Sequence, residues 1–195
     1  MKNKNLQGKW LIRDISHNNM KKGFPGFWLF EIEEEKVIFY RDFSLKKPEF
    51  QLKLGNLCFL TLKDEVSHEF TVVNENQIII YSEGKYNDKE VTFESNYDRL
   101  LPTKTNLTKE EIEAITYVMK INNNKREQVF SFSKKFNSET KSFFAIEEID
   151  KTLFLCSYFS GMKNASLAIK EITMDSIKLY PTSIFEIEIT RYKKK

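Results

Sequence analysis

Cysteine and histidine, the usual building blocks of metal centres and nucleophilic sites, are scarce here: two of each in 195 residues. Cys58 and Cys156 each lie in an apolar run, LCFL and LFLCSYF. A free Cys in such a run behaves as a small buried hydrophobe, so both are read as reduced core residues, and a disulfide framework is excluded. His17 and His68 have no second His or Cys at ligand spacing, which argues against zinc. Ser67 next to His68 is no catalytic pair either, because adjacent strand residues point to opposite faces. No metal or other cofactor is expected. No apolar run approaches the ~18 residues of a membrane span, and MKNKNLQGKW lacks the apolar stretch of a secretion signal. The expected address is the cytoplasm.

A one-signed charge field is also missing. Residues 1–104 carry 16 basic and 16 acidic side chains, and residues 105–195 carry 15 and 12. That surplus of three equals the terminal Lys193, Lys194 and Lys195. With both signs mixed elsewhere, no basic face for nucleic acid is implied.

Alanine, the best helix former, does not occur before Ala114,. What fills that stretch is Phe, Ile, Val, Tyr and Thr in period-2 alternation, which is a strand signal. Strands are expected near 7–16, 27–33, 36–43, 49–54, 57–63, 68–74, 77–82 and 90–99. Eight short antiparallel strands suggest a barrel or sandwich. Thr108 and Glu111 form a capping box. Ile112, Ile115 and Met119 then share one face of an expected helix that Asn122-Asn123-Asn124 stops. Strands resume near 127–134, 141–148, 151–159, 166–172, 175–180 and 183–192. The organisation read from this is a barrel over 1–104, a connecting helix over 105–124 and a smaller antiparallel β region over 125–195.

The two β regions have similar ends. Phe70, Val73, Ile78, Ile80 and Tyr81 match Ile169, Ile172, Ile177, Leu179 and Tyr180 at a constant offset of 99. Each block is followed by a strand ending in arginine: Val91, Phe93, Tyr97 and Arg99 share one face, as do Phe185, Ile187, Ile189 and Arg191. The second region thus reads as a degenerate repeat of the first or as a chance likeness between hairpins.

The most specific feature is Gly8-Lys9-Trp10, preceded by Leu6 and opening the first strand, with Arg99 closing the last. Over residues 5–102 this resembles the bacterial lipocalin-like (calycin) domain, in which a G-x-W begins strand one and a late arginine packs over the tryptophan. The resemblance implies a barrel closed at its base by Gly8, Trp10 and Arg99, a guanidinium on an indole face being favourable. It also implies a small hydrophobic ligand. Trp28, Phe30 and Ile32 on one strand, with Phe93 and Tyr97 on the last, are candidate lining residues. Phe24 and Phe27, in and just after Gly23-Phe-Pro-Gly26, are candidate lid residues. An interior filled by some of the 17 Phe is the competing expectation.

Other clusters point to no chemistry. Glu31, Glu33, Glu34 and Glu35, and likewise Glu147, Glu148 and Asp150, are expected at hairpin tips, where charge solvates a turn. Gly23–Gly26 precedes a strand and so lacks the helix terminus of a phosphate loop. With no catalytic constellation, the expected function is non-enzymatic binding of a small hydrophobic molecule. The other candidate is a protein-interaction module, such as a toxin-neutralising immunity protein or a regulatory partner.

Overall fold

The structure, a computed structural model, describes residues 3–18, 20–23, 26–122, 126–132, 142–181 and 186–193. Phe24 and Phe185 lie outside the described residues. The chain is mostly β with one short α-helix, and it divides into two compact units, Met1–Leu100 and Leu101–Lys195.

In the first unit a single 3-10 turn, Asn3–Leu6, leads into β1 (Gly8–His17), β2 (Met20–Gly23), β3 (Leu29–Glu33), β4 (Lys36–Tyr40), β5 (Phe50–Leu54), β6 (Cys58–Leu60), β7 (Val66–Asn74), β8 (Gln77–Tyr86) and β9 (Lys89–Arg99). Every neighbouring pair is antiparallel, and β1 pairs with both β3 and β9, closing an eight-stranded barrel to which β2 adds a short flap beside β1. Alternation along each strand sends one set of side chains inward. Trp10, Ile12, Phe30, Ile32, Val37, Phe39, Phe59, Phe70, Ile78, Ile80 and Tyr97 form that interior. Leu29, Ile38 and Tyr40, on the other face of β3 and β4, are buried as well, in a second cluster with Leu11, Phe27, Leu45 and Leu100.

Gly84 lies inside β8, where the sequence suggests a turn. The reason is steric: a Cβ on Gly84 would stand 2.8 Å from Phe93 Cε2, so the missing side chain lets the Phe93 ring cross the neighbouring strand. The reversal falls at Asn87-Asp88, both with positive φ (50° and 60°), as in a type I′ hairpin turn.

The second unit begins with α1 (Lys109–Glu113), capped as expected by Thr108 and Glu111. The helix stops there. Thr116–Ile121, expected to continue it, is instead strand β10, and Ile115 and Met119 reach the core from a junction and a strand. Tyr117 and Met119 also fit a period of two, and pairing with strands on both sides decides the matter,. β11 (Arg126–Ser131), β12 (Ser142–Ile149), β13 (Thr152–Phe159), β14 (Met162–Ile172), β15 (Ser176–Leu179) and β16 (Ile187–Arg191) complete a seven-stranded curled sheet in the order β11-β10-β16-β15-β14-β13-β12. Its edge strands meet at one bridge, Phe132 with Phe144. The core is mainly aliphatic: Ile112, Ile146, Leu155, Ile169, Ile172, Ile177 and Ile189.

Candidate functional site

The register fixes a base and an opposite end for the first barrel. Trp10 pairs with Arg99 across β1 and β9. The indole is fully buried and donates through Nε1 to Leu6 O at 3.0 Å. The Arg99 guanidinium carbon lies 4.4 Å from the ring centroid. Its Nε donates to Glu75 O at 2.8 Å, Nη1 to Gln7 O at 2.6 Å and Nη2 to Asn5 O. Gly8 has φ of +120°, and its Cβ position lies 3.5 Å from Arg99 Nη1. Glycine there meets the unusual backbone, while a Cβ would make only an ordinary contact with the guanidinium,. One cation thus joins the 3-10 turn, β1 and the β7–β8 turn beneath the indole.

Above this base the candidate lining residues separate by depth. Phe30, Ile32 and Tyr97 belong to the buried interior. Phe30 packs against Tyr97 (4.8 Å between ring centroids), Phe39 (5.3 Å), Phe59 (5.6 Å) and Trp10 (6.2 Å). These rings make a packed floor, and burial raises the Tyr97 phenol far above its usual pKa, so it stays a neutral hydroxyl,. Trp28 and Phe93 are only half-buried and stand at the other end, with Ile15, Phe50 and Leu54 packed partly onto the same interior. The Arg41 guanidinium covers Trp28 at 4.4 Å and also faces Glu49 at 3.6 Å. Phe27 is not with them. It packs on the outer cluster around Leu29, Ile38 and Tyr40, its ring 5.3 Å from Phe43.

His17 is the last residue of β1 and only 2% exposed. It lies between Tyr86, edge-on at 4.5 Å, and Phe93, stacked at 5.9 Å. His68 faces the interior from β7, opposite Phe59. Burial lowers its pKa, and a backbone hydrogen bond with Tyr81 offsets part of that, so the ring is neutral at pH 7.

Two polar clusters were missed from sequence. On the outer side of β1 and β9, Arg13 bridges Asp14 (3.1 Å) and Asp98 (3.3 Å), while Asn96 donates to Asp14 (2.7 Å) and Gln77 to Asp98 (3.2 Å). A register shift between Ile12 and Asp14 turns Arg13 outward,. In the second unit Glu147 is no hairpin-tip charge. It accepts from Tyr158 Oη and, at 2.7 Å, from Lys163 Nζ. Burial alone would raise its pKa, but these two hydrogen bonds outweigh it and hold the carboxyl below its usual range. Beside it, burial pushes the Cys156 thiol up to about 12, which makes it a poor nucleophile. Glu31 likewise sits within β3, paired with Lys9 at 2.6 Å. Among the described residues, no group of three or more His, Cys, Asp or Glu is placed to hold a metal ion, and no helix is long and apolar enough to cross a membrane.

No family model matches the chain, and no curated protein matches it either. Among solved structures, a protein of unknown function from the DUF3598 family of Nostoc punctiforme is similar to 92% of this chain and 73% of its own length, at 10% identity and a TM-score of 0.27.

Proposed function

We propose that the first unit is a non-enzymatic, lipocalin-like binding domain that holds a small hydrophobic molecule at the barrel end opposite Trp10 and Arg99. The observation that supports this is the contrast between the ends. The base is sealed by a buried indole and a guanidinium bound to three carbonyls. The other end leaves Trp28, Phe50, Phe93 and Ile15 half-buried over a floor of packed rings. Such a partly covered aromatic rim above an apolar floor suits a small apolar body. The reading places the protein in the cytoplasm and calls for neither metal nor cofactor.

Phe159 and Met162 favour a second reading, a protein-interaction module. They face each other across the Ser160-Gly161 turn and are 56% and 71% exposed, an apolar hairpin tip of the kind that partners cover. Native mass spectrometry of the protein purified gently from its own host separates the two. An adduct of a few hundred daltons supports the binding domain. A stoichiometric protein companion with no small-molecule adduct overturns it in favour of the module.

A further inference from the structure

Among the described residues, three buried side-chain nitrogens have no hydrogen-bond partner: His17 Nδ1, Trp28 Nε1 and His68 Nδ1. All three belong to the first barrel, and all three side chains face its interior. His17 pairs with Phe93, and Phe93 pairs with Ser82. One step beyond the Glu69–Tyr81 pair, Ser82 faces His68, which pairs with Phe59. The two imidazoles therefore sit on one rung of the barrel, three strands apart. Trp28, just before β3, shares the inward face of Phe30 and joins the same interior on the side away from Arg99.

Unpaired buried donors and acceptors are rare because each gives up a hydrogen bond to water without a replacement. Three of them in one barrel, in a chain whose second core has none among its described residues, leave polar capacity inside the first unit, and Trp28 Nε1, opposite Ile12, is the one nearest the aromatic floor. Resting on the binding reading above, we infer that the ligand is amphipathic: an apolar ring or chain lies on the aromatic floor, and an uncharged hydroxyl or carbonyl head accepts from Trp28 Nε1. The head must accept, because an indole N–H can only donate. It is uncharged, because His68 is neutral and the cation beside Trp28, Arg41, already faces Glu49 at 3.6 Å,. The apolar flanks are Phe93 and Tyr86 around His17 and Phe50 near Trp28.

The test uses one ring system with three heads: naphthalene, 2-naphthol and 2-naphthoate, titrated calorimetrically into the full-length protein. The expected order is 2-naphthol tightest, about tenfold over naphthalene for one buried hydrogen bond, with 2-naphthoate weakest. Trp28→Phe, which keeps an aromatic ring and removes the donor, should reduce the preference for 2-naphthol over naphthalene from about tenfold to none, whatever the change in affinity common to both. Equal binding of naphthalene and 2-naphthol by the unmodified protein would overturn the polar-head inference and leave the binding reading intact. Tightest binding of 2-naphthoate overturns the uncharged head. Binding of none of the three overturns the binding reading and the inference with it.

Discussion

The two units build the same closing element from different residues. In the first, Trp10 opposes Arg99; in the second, Tyr117 opposes Arg191. Arg99 N donates to Asn76 O at 2.9 Å, and Arg191 N donates to Asp175 O at 2.7 Å, the acceptors being 99 positions apart. Leu100 N bonds to Lys9 O at 2.8 Å, and Tyr192 N bonds to Thr116 O at 2.9 Å. A short helical turn precedes each element and buries one aliphatic side chain, Leu6 or Ile112. The side chains then diverge. Arg99 binds three carbonyls under the indole, whereas Arg191 is exposed and the Tyr117 hydroxyl donates to Thr173 O at 3.3 Å. The backbone plan is thus independent of the arginine clamp, and the clamp is an addition in the first unit.

The interiors differ in the same sense. Among the described residues six of the thirteen buried members of the first core are aromatic, against three of twelve in the second, and the three unpartnered nitrogens lie only in the first. The ring-rich interior belongs to the barrel of the first unit. The largest expected effect tests its base. Trp10→Ala should destabilise the first unit by ~3–5 kcal/mol, the usual loss for a fully buried large side chain, read as a shift in urea midpoint. A shift too small to resolve would remove Trp10 from the closing role.

The clamp itself is sharpened by a matched pair. Arg99→Met should cost on the order of 1–3 kcal/mol, because it removes the stacked cation and leaves Glu75, Gln7 and Asn5 carbonyls without their donor. Arg191→Met should change stability by less than about 0.5 kcal/mol, as for other exposed positions. Equal losses would erase the contrast between the units. Tyr117→Phe should cost about 1 kcal/mol for the Thr173 hydrogen bond. It should also abolish the phenol's high titration, which burial pushes up to about 12 against the offsetting charge of Arg191, measurable by ultraviolet pH titration.

Much of the strand plan was legible because inward residues alternate with a period of two, and the capping box at Thr108 marked the start of α1 correctly. The length of that helix was not legible. Ile112, Ile115 and Met119 fit a helical face, and only the partner strands β11 and β16 draw Thr116–Ile121 into a sheet. Gly84 read as a breaker because the ring that needs its bare backbone, Phe93, arrives from the next strand. Alternation grouped Trp28, Phe30 and Ile32 on one face but could not show depth. Depth follows from barrel register, which separates Phe30 in the floor from Trp28 at the rim. Glu147 looked like turn charge because its partners, Tyr158 and Lys163, come from two later strands.

The smallest effect concerns one position in the repeated hairpin. Phe70 pairs with Ile80 and Ile169 with Leu179, so His68 in the first unit corresponds to Leu167 in the second. Leu167 packs on its core, whereas His68 brings a titratable ring inside, where the inward neighbours Phe59, Phe70 and Ser82 carry no charge. Burial lowers the imidazole pKa below its ordinary 6.5. The unfolded chain therefore takes up the proton first as pH falls, and stability linked to His68 is complete above 6.5 and is lost toward lower pH. His68→Leu makes the first unit resemble the second at this position and should flatten the urea midpoint between about pH 7 and about pH 5.5, a window above most carboxylate titrations. At neutral pH the variant should be as stable as the parent or more so, since it also removes an unpaired Nδ1,. An unchanged slope in that window would mean that burial does not disfavour the protonated His68 ring, and the contrast with Leu167 at this position would fall.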